Sequence, residues 1–210
     1  MKKIVIFDMD GTLLDSKKDI TISINYIRDS HYRLPPLSEE FVVEAINMDV
    51  RNLPKMFYGT ELYEDKDKKL FEEHYAQQCV QNPYLYDGIH DTLQSLYSKG
   101  IKLSVATNAP TPFALRMLNH LDVANLFDII IGADKVSASK PDPQMINHIL
   151  KHYDFKHDKD KAWMIGDNSK DMLSAQNANI ASAFATWGFS PHGDFESLVH
   201  HPKEVLDIVL

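Results

Sequence analysis

With a single cysteine, Cys79, this 210-residue chain cannot form an intramolecular disulfide, which agrees with a reducing compartment. In that setting Cys79 reads as buried filler in a helix. Long apolar runs are also missing. The stretch Ile4-Val5-Ile6-Phe7 stops at charged Asp8, far too short for a signal peptide or a membrane span, so the expectation is a cytoplasmic protein with no membrane partner. Positive charge is scarce: 22 Lys and Arg face 30 Asp and Glu for a net charge of -8, with the acids spread along the chain. That balance argues against nucleic acid as a partner and favours small diffusible ones. The ten histidines fall at no metal-ligand spacing, and His152, His157, His200 and His201 read as surface residues. There is no repeat and no low-complexity tract. What remains, 44% hydrophobic and 25% charged, is the composition of an ordinary globular protein, long enough for one core with a sizeable insertion.

Short β-branched or apolar runs recur at Ile4 to Phe7, Ile101 to Ala106, Ile129 to Ile131, Ala162 to Ile165 and Ala181 to Ala185, with helical stretches between. This alternation predicts an α/β fold, a parallel sheet with helices on both faces. Thr111 before Pro112 and Asp142 before Pro143 read as helix caps. The helical stretch from Ile89 ends at Gly100, suited to a C-terminal cap. Between about residues 15 and 86 no strand-like run appears. That segment reads as inserted helices, with Ile20, Ile24 and Ile27 on one face, Leu70, Phe71, His74, Tyr75 and Gln78 on another, and a helix start at Ser38. Hinges are expected at Asp15-Ser16 and from Asn82-Pro83 to Asp87-Gly88.

The first strand runs directly into Asp8-Met9-Asp10-Gly11-Thr12, placing two carboxylates at the carboxyl end of a buried strand. Like charges are costly there unless a cation, a proton or a function compensates, and open parallel sheets bind ligands at this edge. Gly11 permits a sharp turn with backbone N–H groups aimed at a phosphate. Leu103 to Ala106 deliver Thr107 and Asn108, a hydroxyl and an amide able to donate to phosphate oxygens. Lys140 can neutralise such oxygens as a point charge, and Met164-Ile165-Gly166 lead to Asp167, with Asp171 four residues on, carboxylates of the type Mg²⁺ prefers. Plainer readings exist beside these. Asp8 and Asp10 could lie in a solvated turn, Asn108 could close an Asx turn, Asp167 could cap the helix near Ser169, and Lys140 could pair with Asp171 on the surface. Trp163 and Trp187 read as packing residues.

Taken in order, Asp8 to Thr12, Thr107, Lys140 and Gly166 to Asp171 resemble the four signature motifs of the haloacid dehalogenase-like hydrolase superfamily. The helical insertion resembles that family's C1-type cap, and phosphoglycolate phosphatase-like members are the nearest group. The resemblance implies a Rossmann-like core from residues 1–14 and 87–210 and a cap from 15–86. It implies an Mg²⁺-dependent phosphatase acting on a small phosphorylated metabolite, either phosphoglycolate-like or a sugar phosphate, as a monomer or homodimer. Asp8 would be the nucleophile and Asp10 the acid and base, with Thr107 and Lys140 completing the catalytic set. Asp8, the Asp10 carbonyl and Asp167 would hold the metal, Asp171 would either bind it through water or orient Lys140, and Thr12 and Asn108 would contact the substrate.

In C1-capped relatives a glycine-containing loop commonly faces the active site. The corresponding stretch here, Asn47-Met48-Asp49-Val50-Arg51-Asn52, has no glycine, and Arg51 is the candidate for a second anionic group on the substrate or an exposed helix-start residue. A phosphosugar mutase or a pyrophosphatase would use the same motifs. A dehalogenase would need neither Asp10 nor the acidic fourth motif. A phospho-aspartate switch would carry its acceptor on a middle strand and lacks a place for the insertion.

Overall fold

A computed structural model describes residues 1–48, 50–190, 193 and 195–210. In chain order the elements are β1 (Lys3–Phe7), β2 (Leu14–Asp15), α1 (Lys17–Ile27) running into a π-helical turn (Arg28–Tyr32), α2 (Glu39–Asn47), α3 (Leu53–Tyr58), α4 (Asp65–Gln78) and β3 (Tyr84–Leu85). There follow α5 (Ile89–Ser98), β4 (Lys102–Thr107), α6 (Thr111–His120), β5 (Ile129–Gly132), α7 (Gln144–His152), β6 (Lys161–Gly166), α8 (Ser169–Asn177), β7 (Ala181–Ala185), β8 (Leu198–Val199) and α9 (Glu204–Val209). Two compact units emerge, one from Met1–Asp15 with Leu85–Leu210, the other from Ser16–Tyr84.

The larger unit is built on a six-stranded sheet of order β5-β4-β1-β6-β7-β8, and every pairing in it is parallel. This is the α/β architecture expected from the alternation of runs. Successive side chains of a strand point to opposite faces, so Ile4 and Ile6 pack with Met145, Ile146 and Ile149 of α7 and with Met164 and Ala175. Val5 and Phe7 are equally buried on the other face. Burial on both faces explains why these strands read as continuous apolar runs. The five expected strands all form, and β8, only two residues long, gave too short a run to be seen. Register decides the functional edge: Phe7 lies opposite Val105 on β4 and opposite Ile165 on β6. The residues just beyond these strands therefore meet at one carboxyl edge, where the strand order reverses about β1.

Helix boundaries follow local chemistry, with corrections. Gly100 closes α5 as expected, with Gly100 N donating to the Tyr97 carbonyl at 2.9 Å and Ile101 N to that of Leu96 at 3.1 Å. Ser38 caps α2 by accepting from Phe41 N at 3.2 Å. Thr111, however, lies inside α6 rather than capping it. The carboxylate that accepts from its N–H, at 2.6 Å, is Asp134 from the loop after β5, a partner too distant in sequence to be inferred. Asp142 accepts from Gln144 N at 3.0 Å from the position before Pro143, which is the N-cap of α7. Near Ser169 the capping side chain is Asn168, not Asp167: Asn168 Oδ1 accepts from Lys170 N at 3.1 Å, while Asp171 Oδ2 accepts from Asn168 N at 3.1 Å, a reciprocal capping box.

The smaller unit is helical throughout α1–α4, with Ile24, Ile27, Val42, Ala45, Phe57 and Tyr58 at its centre and Ile20, Leu70 and Phe71 packed against them. Buried Arg28 donates to the carbonyls of Pro35, at 2.8 Å, and of Phe57 in α3, so two of its five N–H groups are held by backbone. Cys79 is buried, as expected, at the C-cap of α4. β2 and β3 pair as a separate two-stranded sheet. Among the described residues no helix is long and apolar enough to cross a membrane.

Candidate active site

Asp8 leaves β1 at the centre of the sheet, its backbone held by a 2.8 Å bond from Asp8 N to the Ile165 carbonyl. Lys140 reaches it from the far side. Its Nζ donates at 2.6 Å to each of three acceptors, Asp8 Oδ1, Asp171 Oδ1 and the Ala106 carbonyl. An ammonium has three hydrogens, so this one is fully engaged. The Lys140 and Asp171 side chains are each only 2% exposed, which replaces the surface ion bridge with a buried one. Burial alone would pull the Lys140 pKa down, but the Asp171 and Asp8 carboxylates outweigh it, and the net direction is upward.

Asp167 is the third buried carboxylate of the site. Its Oδ1 accepts from the Thr12 hydroxyl at 3.0 Å and its Oδ2 from Phe189 N at 2.7 Å. Thr12, expected beside the substrate, is instead fully buried with its hydroxyl turned to Asp167. Desolvation, followed by the charges of Asp8 and Asp171, drives the Asp167 pKa well above the ordinary carboxylate range, and the two hydrogen bonds only partly oppose this. Asp171 is likewise pushed up, to about 7, by burial first and then, against the pull of Lys140, by Asp8.

Asp8, Asp167 and Asp171 each offer an oxygen within 4.8 Å of the others, all three residues buried. One ammonium against three carboxylates leaves the cluster short of positive charge. A carboxylate has about four lone-pair sites, so the bonds named above do not exhaust its oxygens. An all-oxygen, anionic, buried donor set of this kind fits a hard divalent cation.

The loop after β1 is shaped for this packing. Gly11 adopts φ +86, and a Cβ there would stand 2.3 Å from Asp167 Oδ2, so neither its conformation nor its space admits a side chain. The backbone N–H groups expected to face a phosphate turn inward in part: Gly11 N donates to the Leu14 carbonyl at 2.9 Å and Thr12 N to that of Met9 at 3.2 Å. Asp10 is less buried than Asp8 and forms a single parallel bridge with Leu14.

Thr107 is buried, and its Oγ1 accepts from Ala109 N at 3.1 Å. Asn108 spans to Lys140, its Nδ2 donating to the lysine carbonyl at 3.1 Å and its Oδ1 accepting from the lysine N–H at 3.0 Å. Arg51 belongs to the other unit, where it donates to the carbonyls of Ile46 and, at 3.2 Å, Met48. In the stretch that contains it, Asp49 lies outside the described residues.

One contribution escaped sequence reasoning. Trp187 reads as a packing residue, yet its Nε1 donates to the Thr12 carbonyl at 3.0 Å, and two residues on Phe189 N donates to Asp167. At Gly188 a Cβ would lie 2.2 Å from the Gly11 carbonyl oxygen and 2.4 Å from Asp167 Cβ. The only signal in the sequence is a glycine following the last long strand.

A sheet edge that gathers a strand-end aspartate, a buried lysine and two further buried aspartates is built to hold a cation beside a reactive carboxylate. The chain belongs to the haloacid dehalogenase-like hydrolase family, whose model matches residues 5–185. It is 31% identical over 201 residues to a phosphoglycolate phosphatase from Vibrio parahaemolyticus, covering 91% of this chain and 86% of that protein. It is 29% identical over 216 residues to an N-acetylmuramic acid 6-phosphate phosphatase from Pseudomonas aeruginosa, covering 99% and 94%. Its fold is shared with a predicted phosphoglycolate phosphatase from Haemophilus somnus, at a TM-score of 0.84 and 24% identity over 100% of this chain and 98% of that one.

Proposed function

We propose that the protein is an Mg²⁺-dependent phosphatase that hydrolyses a small phosphate monoester, phosphoglycolate-like or a sugar phosphate, through an aspartyl-phosphate on Asp8. The observation that carries this reading is the 2.6 Å contact between Lys140 Nζ and Asp8 Oδ1 within a buried group of three carboxylates. The phosphatase names of the similar proteins support it.

With Oδ1 held by Lys140, Asp8 presents its other oxygen to phosphorus. That oxygen forms a bond to phosphorus as the ester P–O bond breaks, its electron pair leaving on the alkoxide, which takes a proton from Asp10. Water then attacks the same phosphorus while Asp10 accepts its proton, and the bond to Asp8 breaks to restore the carboxylate. Lys140 offsets charge at Asp8 throughout, and Thr12 and Phe189 N keep Asp167 in place. Asp8, Asp167, the Asp10 carbonyl and Asp171 would hold Mg²⁺, which when bound supplies positive charge to the equatorial phosphoryl oxygens. The unit Ser16–Tyr84 serves as a C1-type cap that selects the leaving group, with Arg51 as a candidate contact, and the cytoplasm is the expected location.

A screen of phosphoglycolate, sugar phosphates, nucleotides and pyrophosphate, ranked by kcat/KM with Mg²⁺, tests the assignment. A clear preference for pyrophosphate, or interconversion of sugar-phosphate isomers without release of phosphate, would replace it.

A further inference from the structure

Lys140 carries the heaviest electrostatic duty in the site from an insecure position. It lies on no helix or strand, in the turn between the short 3₁₀ segment Ala133–Lys135 and α7. Its side chain has four rotatable bonds, yet Nζ must be delivered to Asp8 and Asp171 at once, 2.6 Å from each. A flexible side chain aimed that narrowly needs its backbone held. The turn is closed by Asp142 N on the Ser139 carbonyl at 3.0 Å and tied to α8 by Asn177 Nδ2 on the Pro141 carbonyl at 3.2 Å, and beside these stand the peptide groups of Lys140 itself.

Both are taken by one side chain. Asn108 Oδ1 accepts from Lys140 N at 3.0 Å, and Asn108 Nδ2 donates to the Lys140 carbonyl at 3.1 Å. Two bonds from a planar amide to the two polar groups of a single residue restrict both its position and its rotation. Asn108 is itself anchored. Ala109 N donates to Thr107 Oγ1 at 3.1 Å, and Ala133 N donates to the Ala109 carbonyl at 3.2 Å. Thr111 ties the same loop to the next one, donating to Asp134 through N–H and hydroxyl at 2.6 and 2.7 Å and accepting from Gly132 N at 2.9 Å. The end of β4 thus forms a rigid post, and Asn108 is the arm that reaches 32 residues along the chain to Lys140.

We infer that Asn108 acts on the reaction through Lys140, as a positioning residue that clamps the lysine backbone, and not as a ligand of the substrate phosphate. The inference rests on the phosphatase reading above. Removing the arm leaves the ammonium present but poorly aimed, so the loss falls on turnover more than on substrate affinity. A phosphate ligand would behave in the opposite way.

The test is a double-mutant cycle on p-nitrophenyl phosphate with saturating Mg²⁺, using the wild type, Asn108→Ala, Lys140→Ala and the double variant, with enzyme in excess where turnover is slow. In the wild-type background Asn108→Ala is expected to lower kcat about tenfold with KM and inhibition by inorganic phosphate little changed, and in the Lys140→Ala background to change kcat by less than about twofold. If Lys140→Ala shows no turnover at all, Lys140→Gln, which keeps the backbone and removes the charge the clamp would aim, supplies the second background. If Asn108→Ala melts below the assay temperature, Asn108→Asp, which keeps an oxygen for the lysine N–H, takes its place with the same pattern expected. Equal losses in both backgrounds, an unchanged Asn108→Ala enzyme, or a rise confined to KM and the phosphate inhibition constant would each overturn the inference. A wild type that hydrolyses no phosphate monoester removes the functional reading and this inference together, whereas an active wild type with additive variants removes the inference alone.

Discussion

Lys140 Nζ and Asp171 Oδ1 are 2.6 Å apart with both side chains 2% exposed, and Asp171 is bound again, through Oδ2, to the backbone N–H of Asn168. One carboxylate therefore closes the start of α8 and holds the cation that faces Asp8. This double duty explains why Asp171 stands three residues after the capping Asn168, at the N3 position of α8. The spacing serves the capping box as much as the site.

Burial raises the Asp167 and Asp171 pKa values, the latter to about 7, against about 3.9 in an unfolded chain. Between these values the folded protein binds more protons than the unfolded one. The stability Asp171 contributes is thus complete below about pH 4 and is lost as pH rises toward about 7, and Asp167 acts in the same direction. A divalent cation competes with those protons for the same oxygens, so its stabilising effect grows over the same interval. Thermal melts with and without Mg²⁺ should show a larger Mg²⁺-dependent rise in Tm at pH 8 than at pH 5. A Tm indifferent to Mg²⁺ at pH 8 would contradict the metal assignment.

Asp8→Asn preserves shape but replaces the attacking oxygen, and the Lys140 ammonium loses a charged partner. Turnover of p-nitrophenyl phosphate should vanish while the circular dichroism spectrum and monodisperse elution stay as in the wild type. Near wild-type turnover would remove Asp8 as nucleophile.

Asp10→Asn removes only a proton carrier. The expected loss in kcat is about 10²- to 10⁴-fold, smaller for p-nitrophenyl phosphate, whose leaving group needs little protonation, than for an alkyl phosphate. The comparison of the two substrates is the measurement, and equal losses on both would leave leaving-group protonation without support.

Gly188→Ala tests the support beneath Asp167. Its Cβ would stand 2.2 Å from the Gly11 carbonyl oxygen and 2.5 Å from Asp167 Oδ2, and since backbone cannot yield cheaply, the carboxylate must move. Half-saturating Mg²⁺ in the activity assay should rise about tenfold or more, the usual cost of disturbing a residue that orients a metal ligand. An unchanged Mg²⁺ requirement would show that Asp167 tolerates the shift.

The sequence by itself determined the strands, because a strand buried on both faces must be apolar at every position, as Ile4 to Phe7 and Met164 to Ile165 are. It also marked Asp8 and Asp167, since charged residues at the ends of such runs are too costly to be incidental, and Lys140 and Asp171 through their place in the order of the four motifs. Tertiary structure alone decided the partners: Asp134 on the start of α6, Asn108 on the backbone of Lys140, Thr12 and Phe189 N on Asp167, and Gly188 against Gly11. Those contacts join residues 22 to more than 150 positions apart. Hydrophobic period and capping chemistry act within a few residues of one another, whereas hydrogen bonds between loops depend on the register of β1 with β4 and β6, which only the folded sheet imposes.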